Sequence, residues 1–203
     1  MKQLTDKFIL TLINKNIIKE EDKEIYSYGF NQILFIMLNF ITILIIGISF
    51  NMLFETIIFM ITYIPIRIYA GGYHARTQTK CYIFSVFMLI LALYIIKLKL
   101  MSNILIIILL SIISSIIIIS LAPVEDINKP LDEKETEIYK KRTIKNLIII
   151  LVFLIISLIL NKIIISSCIC VSLLFNSVML LFGNILNFFN IIFYNKKYYT
   201  YEK

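Results

Sequence analysis

Long apolar runs separated by short polar segments dominate the chain. Each of six runs reaches or approaches the roughly 20 residues that a helix needs to cross the hydrocarbon core of a bilayer. Only five glycines and three prolines occur in the 203 residues, so little interrupts helix formation. The pattern predicts an all-α, polytopic transmembrane helical bundle with about six spans, a single membrane-embedded domain over residues 1–203. The predicted spans are Phe30–Phe50, Leu53–Ile68, Cys81–Ile96, Asn103–Leu121, Asn146–Leu160 and Ile163–Gly183.

Two features of these runs leave an alternative arrangement open. Leu53–Ile68 is short and contains Glu55 and Pro65, and only the pair Asn161–Lys162 separates the last two spans. Four full spans with additional re-entrant or interfacial helices are therefore the alternative. A soluble helical bundle is disfavoured, because its helices would need polar faces and the run 104–121 contains no charged residue.

Composition and charge agree with a membrane location. The sequence is 60% hydrophobic with a mean hydropathy of +0.90, whereas soluble domains are about 45–50% apolar. With six spans and the N-terminus inside, seventeen of the twenty lysines and arginines fall on the inner side. Because these residues concentrate on the cytoplasmic side of membrane proteins, the count supports an even number of spans and a cytoplasmic N-terminus. The same bias accounts for the net charge of +7, so no nucleic-acid partner is expected.

The segment before the first span, residues 1–24, has apolar residues at helical spacing. We predict an amphipathic helix there that lies in the membrane interface or packs against the bundle. No short apolar core with a small-residue cleavage site follows the basic residues, so a cleavable signal peptide is not indicated. The apolar residues of this face are Phe8, Ile9, Leu12, Ile13 and Ile17.

Two further polar segments are predicted near the membrane surface. Residues 123–145 are rich in both acidic and basic side chains and are expected to form a cytoplasmic polar loop. Residues 184–203 combine tyrosines with lysines and are expected to form an interfacial tail.

The polar segment 70–81 is the candidate for chemistry. It contains His74, the only histidine of the chain, and Cys81 seven residues later. A cysteine is a good nucleophile as the thiolate, and a nearby imidazole is a common way to form one. On a continuous helix the two residues would lie about 10.5 Å apart along the axis, which is too far for proton transfer. The segment must therefore fold back, and Gly71 and Gly72 supply the necessary backbone freedom. We predict a cytoplasmic-side catalytic loop over residues 70–81.

Cys81 would then begin the third span, where a helix N-terminus and neighbouring basic residues favour the thiolate. The other two cysteines, Cys168 and Cys170, lie within an apolar span and are interpreted as packing residues. One histidine and one cysteine fall short of the three or four ligands of a zinc site, so neither a metal nor a cofactor is expected.

Other functional classes fit less well. A membrane transporter or exporter of small peptides is the alternative, but such proteins usually carry several ionisable residues deep within their spans. Here Glu55 and Arg67, both near span ends, are nearly the only ones. A membrane sensor would need an attached signalling domain, for which the residues after Gly183 are too few.

The run Arg67-Ile68-Tyr69-Ala70-Gly71-Gly72-Tyr73-His74-Ala75, followed by Cys81, resembles the signature of the AgrB family, the accessory gene regulator proteins B of quorum sensing. Pro123 and the run Asn128-Lys129-Pro130 resemble its second, weaker motif. The resemblance covers essentially the whole chain, because length and hydropathy profile also agree. Every residue of the first motif is present.

The resemblance implies a membrane cysteine endopeptidase that processes an AgrD-like precursor peptide. Cys81 would attack a carbonyl near the C-terminal part of the precursor, with His74 as general base. The resulting thioester would be displaced by an internal cysteine or serine of the precursor, which closes a thiolactone or lactone ring. The product would be an autoinducing peptide for quorum sensing.

The resemblance further implies a homodimer in the lipid bilayer of the cell membrane of a Gram-positive bacterium, with the active site on the cytoplasmic side. Arg67 is interpreted either as a residue that binds substrate or supports the loop, or as one that extends toward the headgroups. Backbone amides near Gly72 or Cys81 are candidates for an oxyanion hole. The candidates to orient His74 are Glu125, Asp126 and Asn128. The residues assigned to substrate binding or loop support are Arg67, Gly71, Gly72, Lys129 and Pro130.

Overall fold

The computed structural model describes residues 2–15, 17–73, 77–125 and 131–199, and within these ranges the regular elements are helices. A single 3₁₀ turn at Glu20–Asp22 precedes α2. The all-α prediction is confirmed. The helices are α1 Lys2–Asn14, α2 Lys23–Ser49, α3 Leu53–Ala70, α4 Gln78–Lys97, α5 Ile104–Leu121, α6 Glu133–Ile159 and α7 Ile163–Tyr199.

Six of the helices, α2 to α7, are long and apolar enough to cross a membrane, which confirms the prediction of a multi-pass membrane protein. The short run that begins at Leu53 forms α3, an 18-residue helix that continues through Pro65. At 1.5 Å per residue it is about 27 Å long, close to the thickness of the hydrocarbon core. The amide of Asn146 on α6 donates to the carbonyl oxygen of Pro65 at 2.8 Å and links the two helices there.

The polar segment 123–145 is only partly a loop, which corrects the prediction. α6 begins at Glu133, where Asp132 and Glu135 form a capping box. The side chain of Asp132 accepts from the backbone N–H of Glu135, and the side chain of Glu135 accepts from the backbone N–H of Asp132. This arrangement satisfies two of the N–H groups that a helix start leaves unpaired. The charged residues that follow are good helix formers, so the helix extends out of the membrane before its apolar part begins.

Helices α2 and α7 also extend beyond their predicted spans. α2 begins at Lys23 rather than near Phe30. α7 continues to Tyr199, so the described part of the predicted tail 184–203 is helical. In both cases the polar residues at the helix end have ordinary helix propensity, and hydropathy alone places the boundary too close to the apolar core.

α7 is the central helix of the bundle, and it packs against α3, α4, α5 and α6. Small residues face its neighbours: Ser166 is fully buried and its hydroxyl is 2.7 Å from that of Ser157 on α6. Such residues allow close approach of helices in a membrane. Cys168 and Cys170 are buried in two apolar clusters on either side of α7, as expected of packing residues.

The N-terminal helix α1 packs against α2. Ile9 is buried, and the rings of Phe8 and Phe30 stack with their centroids 4.4 Å apart. Since α1 ends at Asn14, the helix predicted over residues 1–24 covers only the first part of that segment.

Candidate active site

A tight turn follows α3 and contains two glycines in a left-handed conformation. Gly71 has φ +72° and Gly72 has φ +101°, values that other residues rarely adopt. A Cβ on Gly71 would lie 2.2 Å from the carbonyl oxygen of Val124, and one on Gly72 would lie 2.7 Å from that of Met179. Both conformation and space therefore require glycine at these positions.

Backbone hydrogen bonds join this turn to two distant parts of the chain. The N–H of Val124 donates to Ala70 O at 2.9 Å, and the N–H of Gly72 donates to Val124 O at 3.3 Å. The N–H of Tyr73 donates to Met179 O on α7 at 3.2 Å. The turn is thereby fixed between the segment after α5 and the central helix α7.

Gly183 on α7 lies against the same turn. A Cβ at this position would be 2.7 Å from both the carbonyl carbon of Gly72 and the nitrogen of Tyr73. The absence of a side chain at Gly183 therefore allows the backbone of the turn to approach α7, one helical turn beyond Met179.

The side chain of Arg67, on the last turn of α3, holds the turn from the other side. Its guanidinium donates to the carbonyl oxygens of Gly71 and Tyr73. An arginine near the end of a span is costly unless its N–H groups find acceptors, and two carbonyls meet that need here. These two hydrogen bonds tie Arg67 to the turn, and substrate binding by Arg67 stays a prediction.

The ring of Tyr73 places the turn beside α4. It makes edge-to-face contacts with Phe84 of α4 and Phe182 of α7, with centroid distances of 5.3 and 5.4 Å. Phe84 lies three residues after Cys81 and thus on a neighbouring part of the same helix face. The turn therefore packs against α4 one helical turn beyond Cys81.

Cys81 lies in the first turn of α4, at the position that the sequence predicted. The helix begins at Gln78 with Thr77 as N-cap, whose hydroxyl accepts from the N–H of Lys80 at 3.3 Å. The N–H of Cys81 donates to Thr77 O at 3.0 Å. The thiol is free and exposed.

Tyr63 is a further candidate site residue, which the sequence did not predict. It lies four residues before Arg67 and therefore on the same face of α3. Both side chains are within electrostatic range of Cys81. The carbonyl of Tyr63 accepts from the amide of Asn176 on α7 at 3.3 Å. A phenol one turn before an arginine, within an apolar span, is the sequence signal that could have identified it.

Comparison with known proteins decides the family. Residues 2–180 match the family described as AgrB, accessory gene regulator B. The chain belongs to the AgrB family. AgrB-like protein 2 of Clostridium perfringens (strain 13 / Type A), a protein named only by its likeness to the family, is 31% identical over 147 residues, which cover 69% of each chain. A second AgrB-like protein, from strain SM101 / Type A of the same species, is 32% identical over 147 residues with the same coverage. No solved structure matches significantly.

Membership of the AgrB family gives the chain a role in the agr quorum-sensing system, where the family implies a peptidase-like part. In this AgrB protein the structure brings together Cys81, Arg67, Gly71 and Gly72. His74, Lys129 and Pro130 lie outside the described residues.

Of the three candidates to orient the histidine, Asp126 and Asn128 also lie outside the described residues of this AgrB protein. The third, Glu125, is exposed, and its backbone carbonyl accepts from the amide of Asn187 on α7 at 2.7 Å. That bond fixes the backbone next to Val124, and a role of the Glu125 carboxylate beside His74 stays a prediction.

Proposed function

We propose that this protein is a membrane cysteine endopeptidase that cleaves an AgrD-like precursor peptide and promotes its cyclisation. The observation that carries the proposal is the exposed Cys81 thiol in the first turn of α4, packed beside a turn that Arg67 and two glycines fix in place. In a bundle whose other two cysteines are buried, Cys81 is the thiol that a peptide can reach.

The proposed reaction has two acyl transfers. The Cys81 thiolate attacks a carbonyl near the C-terminal part of the precursor, and His74 accepts the thiol proton and delivers it to the leaving amine. The C-terminal fragment departs and a thioester remains on Cys81. The thiol of an internal precursor cysteine then gives its proton to His74 and attacks this thioester, which forms the thiolactone and releases the Cys81 thiolate. A hydroxyl nucleophile gives the lactone in the same way.

Amides in the first turn of α4 are the candidates to stabilise the oxyanion of the first step. The N–H of Cys81 is already bonded to Thr77 O, and the N–H of Lys80 is bonded to the Thr77 hydroxyl. The N–H groups of Gln78 and Thr79 come earlier in the helix, where backbone donors have no partner within the helix. These two amides are therefore the proposed oxyanion donors.

Shielding from water favours ring closure over hydrolysis of the thioester. The site lies at one end of six membrane-crossing helices, where an amphipathic precursor docked on the membrane would reach it. The positive-inside bias of the sequence puts this end on the cytoplasmic side of the cell membrane. The homodimer implied by the family resemblance stays a prediction, and mass photometry of the protein in nanodiscs would measure it.

The decisive experiment is mass spectrometry of a cognate AgrD-like precursor after incubation with the purified protein in liposomes. Wild type should release a C-terminal fragment and a dehydrated ring product, whereas Cys81→Ala and His74→Ala should leave the precursor intact. Cys168→Ala is the matched control, since it removes a buried thiol and should retain processing. A precursor whose internal cysteine is replaced by alanine should instead accumulate as a hydroxylamine-sensitive adduct on Cys81. Processing by Cys81→Ala would refute the proposal.

A further inference from the structure

A lateral groove of about 480 Å³ runs between α3 and α6, with α7 as its floor. Its volume falls in the range of roughly 300–1,000 Å³ that is usual for ligand sites. Phe54 and Ile61 of α3 line one side, Ile149 and Phe153 of α6 line the other, and Ile169 of α7 lies below. The groove is at the depth of the membrane spans and away from the Cys81 thiol, which does not line it.

The polar side chains of the groove are already engaged. The Thr62 hydroxyl donates to Ile58 O at 2.9 Å, and the Asn146 amide donates to Pro65 O at 2.8 Å. The walls are helices, whose backbone groups bond internally. An extended peptide would bring N–H and C=O groups that find few hydrogen-bond partners on these walls, whereas a hydrocarbon chain needs only apolar contact.

The positively charged side chain of Arg142 lies at one end of the groove. Arg142 lies one helical turn before Asn146 on α6, in line with Ile149 and Phe153. Its guanidinium is 5.1 Å from the ring centroid of Tyr69, and its Nη1 donates to the Tyr69 hydroxyl at 3.3 Å. Arg142 is exposed, so guanidinium N–H groups remain accessible to a further acceptor.

Neighbouring contacts orient this cation. The ring of Tyr139 makes an edge-to-face contact with Tyr69 at a centroid distance of 5.9 Å. Lys141 forms an ion pair with Glu137 at 2.7 Å, while Lys145, one turn along from Lys141, is also exposed. Arg142 and Lys145 therefore give this end of the groove an excess of positive charge, at the level where phospholipid headgroups lie.

We propose that the α3–α6 groove binds one anionic phospholipid, with an acyl chain along the groove and the phosphate at Arg142. The apolar groove matches the acyl chain of such a lipid, and the guanidinium of Arg142 matches its phosphate. Tyr69 connects the headgroup position to the last turn of α3, which also carries Arg67. The bound lipid thus stabilises the helix end from which the turn at Gly71 and Gly72 begins, a role separate from the peptide chemistry proposed above.

Native mass spectrometry tests the site in the full-length protein, released from vesicles of phosphatidylcholine and phosphatidylglycerol in equal amounts. Wild type should retain one phosphatidylglycerol in preference to phosphatidylcholine. Arg142→Gln should reduce this preference about fivefold, the effect expected of one cation near a membrane surface. Lys134→Gln, which removes a charge from the exposed first turn of α6, is the matched control and should leave the preference unchanged. An equal loss in both variants would overturn the proposal.

Photo-crosslinking tests the groove without any substitution. Phosphatidylglycerol with a photoreactive acyl chain, incorporated in the same vesicles, should label peptides of α3 and α6 that contain Ile61 and Ile149. The exposed apolar residues Ile83 on α4 and Ile116 on α5 serve as internal controls for ordinary lipid contact. Labelling no stronger at the groove than at these controls would show only bulk lipid and overturn the proposal. Displacement of the label by an AgrD-like precursor would also overturn it, because the groove would then be a peptide site.

Discussion

The guanidinium of Arg67 donates to the carbonyl oxygen of Tyr73, so a side chain on the last turn of α3 holds the residue that immediately precedes His74. The same guanidinium also donates to Gly71 O. Two acceptors at different positions on one turn require a rigid, forked donor. Lysine, with a single ammonium group, cannot reproduce this geometry even though it preserves the charge.

Arg67→Lys should therefore lower kcat for precursor processing on the order of tenfold or more, with little change in KM. The reason is that the loss affects the geometry of the turn at Gly71 and Gly72 rather than charge attraction for the precursor. Time courses of ring product, followed by mass spectrometry at several precursor concentrations, would measure both constants. Wild-type kcat in Arg67→Lys would show that charge alone suffices and that the two hydrogen bonds are dispensable.

Gly71→Ala should destabilise the protein by about 1–3 kcal/mol and abolish processing, because alanine is strained at φ +72° and its Cβ meets the Val124 carbonyl. Thermal unfolding in detergent and the processing assay would report the two effects. The matched control is Gly29→Ala: Gly29 is helical and a Cβ there would meet nothing within 4 Å. That change should be neutral or stabilising by up to about 1 kcal/mol. Equal behaviour of the two variants would contradict the role of the turn.

Tyr63→Phe should reduce kcat by about tenfold, which corresponds to about 1.4 kcal/mol of lost transition-state stabilisation. The change removes the hydroxyl but keeps the ring, which stacks on Phe59 at a centroid distance of 5.3 Å. The thermal stability of the variant should therefore be close to that of wild type. Tyr94→Phe, at an exposed position near the other end of α4, controls for loss of a phenol and should process normally. Unchanged kcat in Tyr63→Phe would remove this residue from the site.

Cys81 should be the one cysteine that reacts rapidly with maleimide in membranes, since Cys168 and Cys170 are buried. A membrane-impermeant maleimide should label inside-out vesicles and spare right-side-out ones if Cys81 has the cytoplasmic location that we propose from the positive-inside bias. Cys81→Ala should abolish labelling in both preparations. Rapid labelling of right-side-out vesicles would reverse the proposed orientation.

The apolar runs were sufficient to predict six spans, because the bilayer imposes both length and hydropathy on a crossing helix. They were insufficient for α6, whose charged first turns were interpreted as a loop. The sequence did contain a signal there, since Asp132 and Glu135 have the spacing of a capping box.

The site was predictable only in part. The motif located Arg67, the two glycines and Cys81, because their chemistry depends on residue type. Val124 and Met179 could not have been predicted, since each contributes a backbone carbonyl that any residue would supply. Their roles come from tertiary packing, which places segments far apart in sequence against the same turn.

The hydrogen bond from Tyr73 to Met179 O has a consequence for biosynthesis. Tyr73 leaves the ribosome early, whereas Met179 follows on α7, the last of the described helices. The turn cannot acquire its final partner until α7 has been synthesised and inserted among the preceding spans. In a nascent chain the turn beside Cys81 therefore stays without this partner until α7 has been inserted.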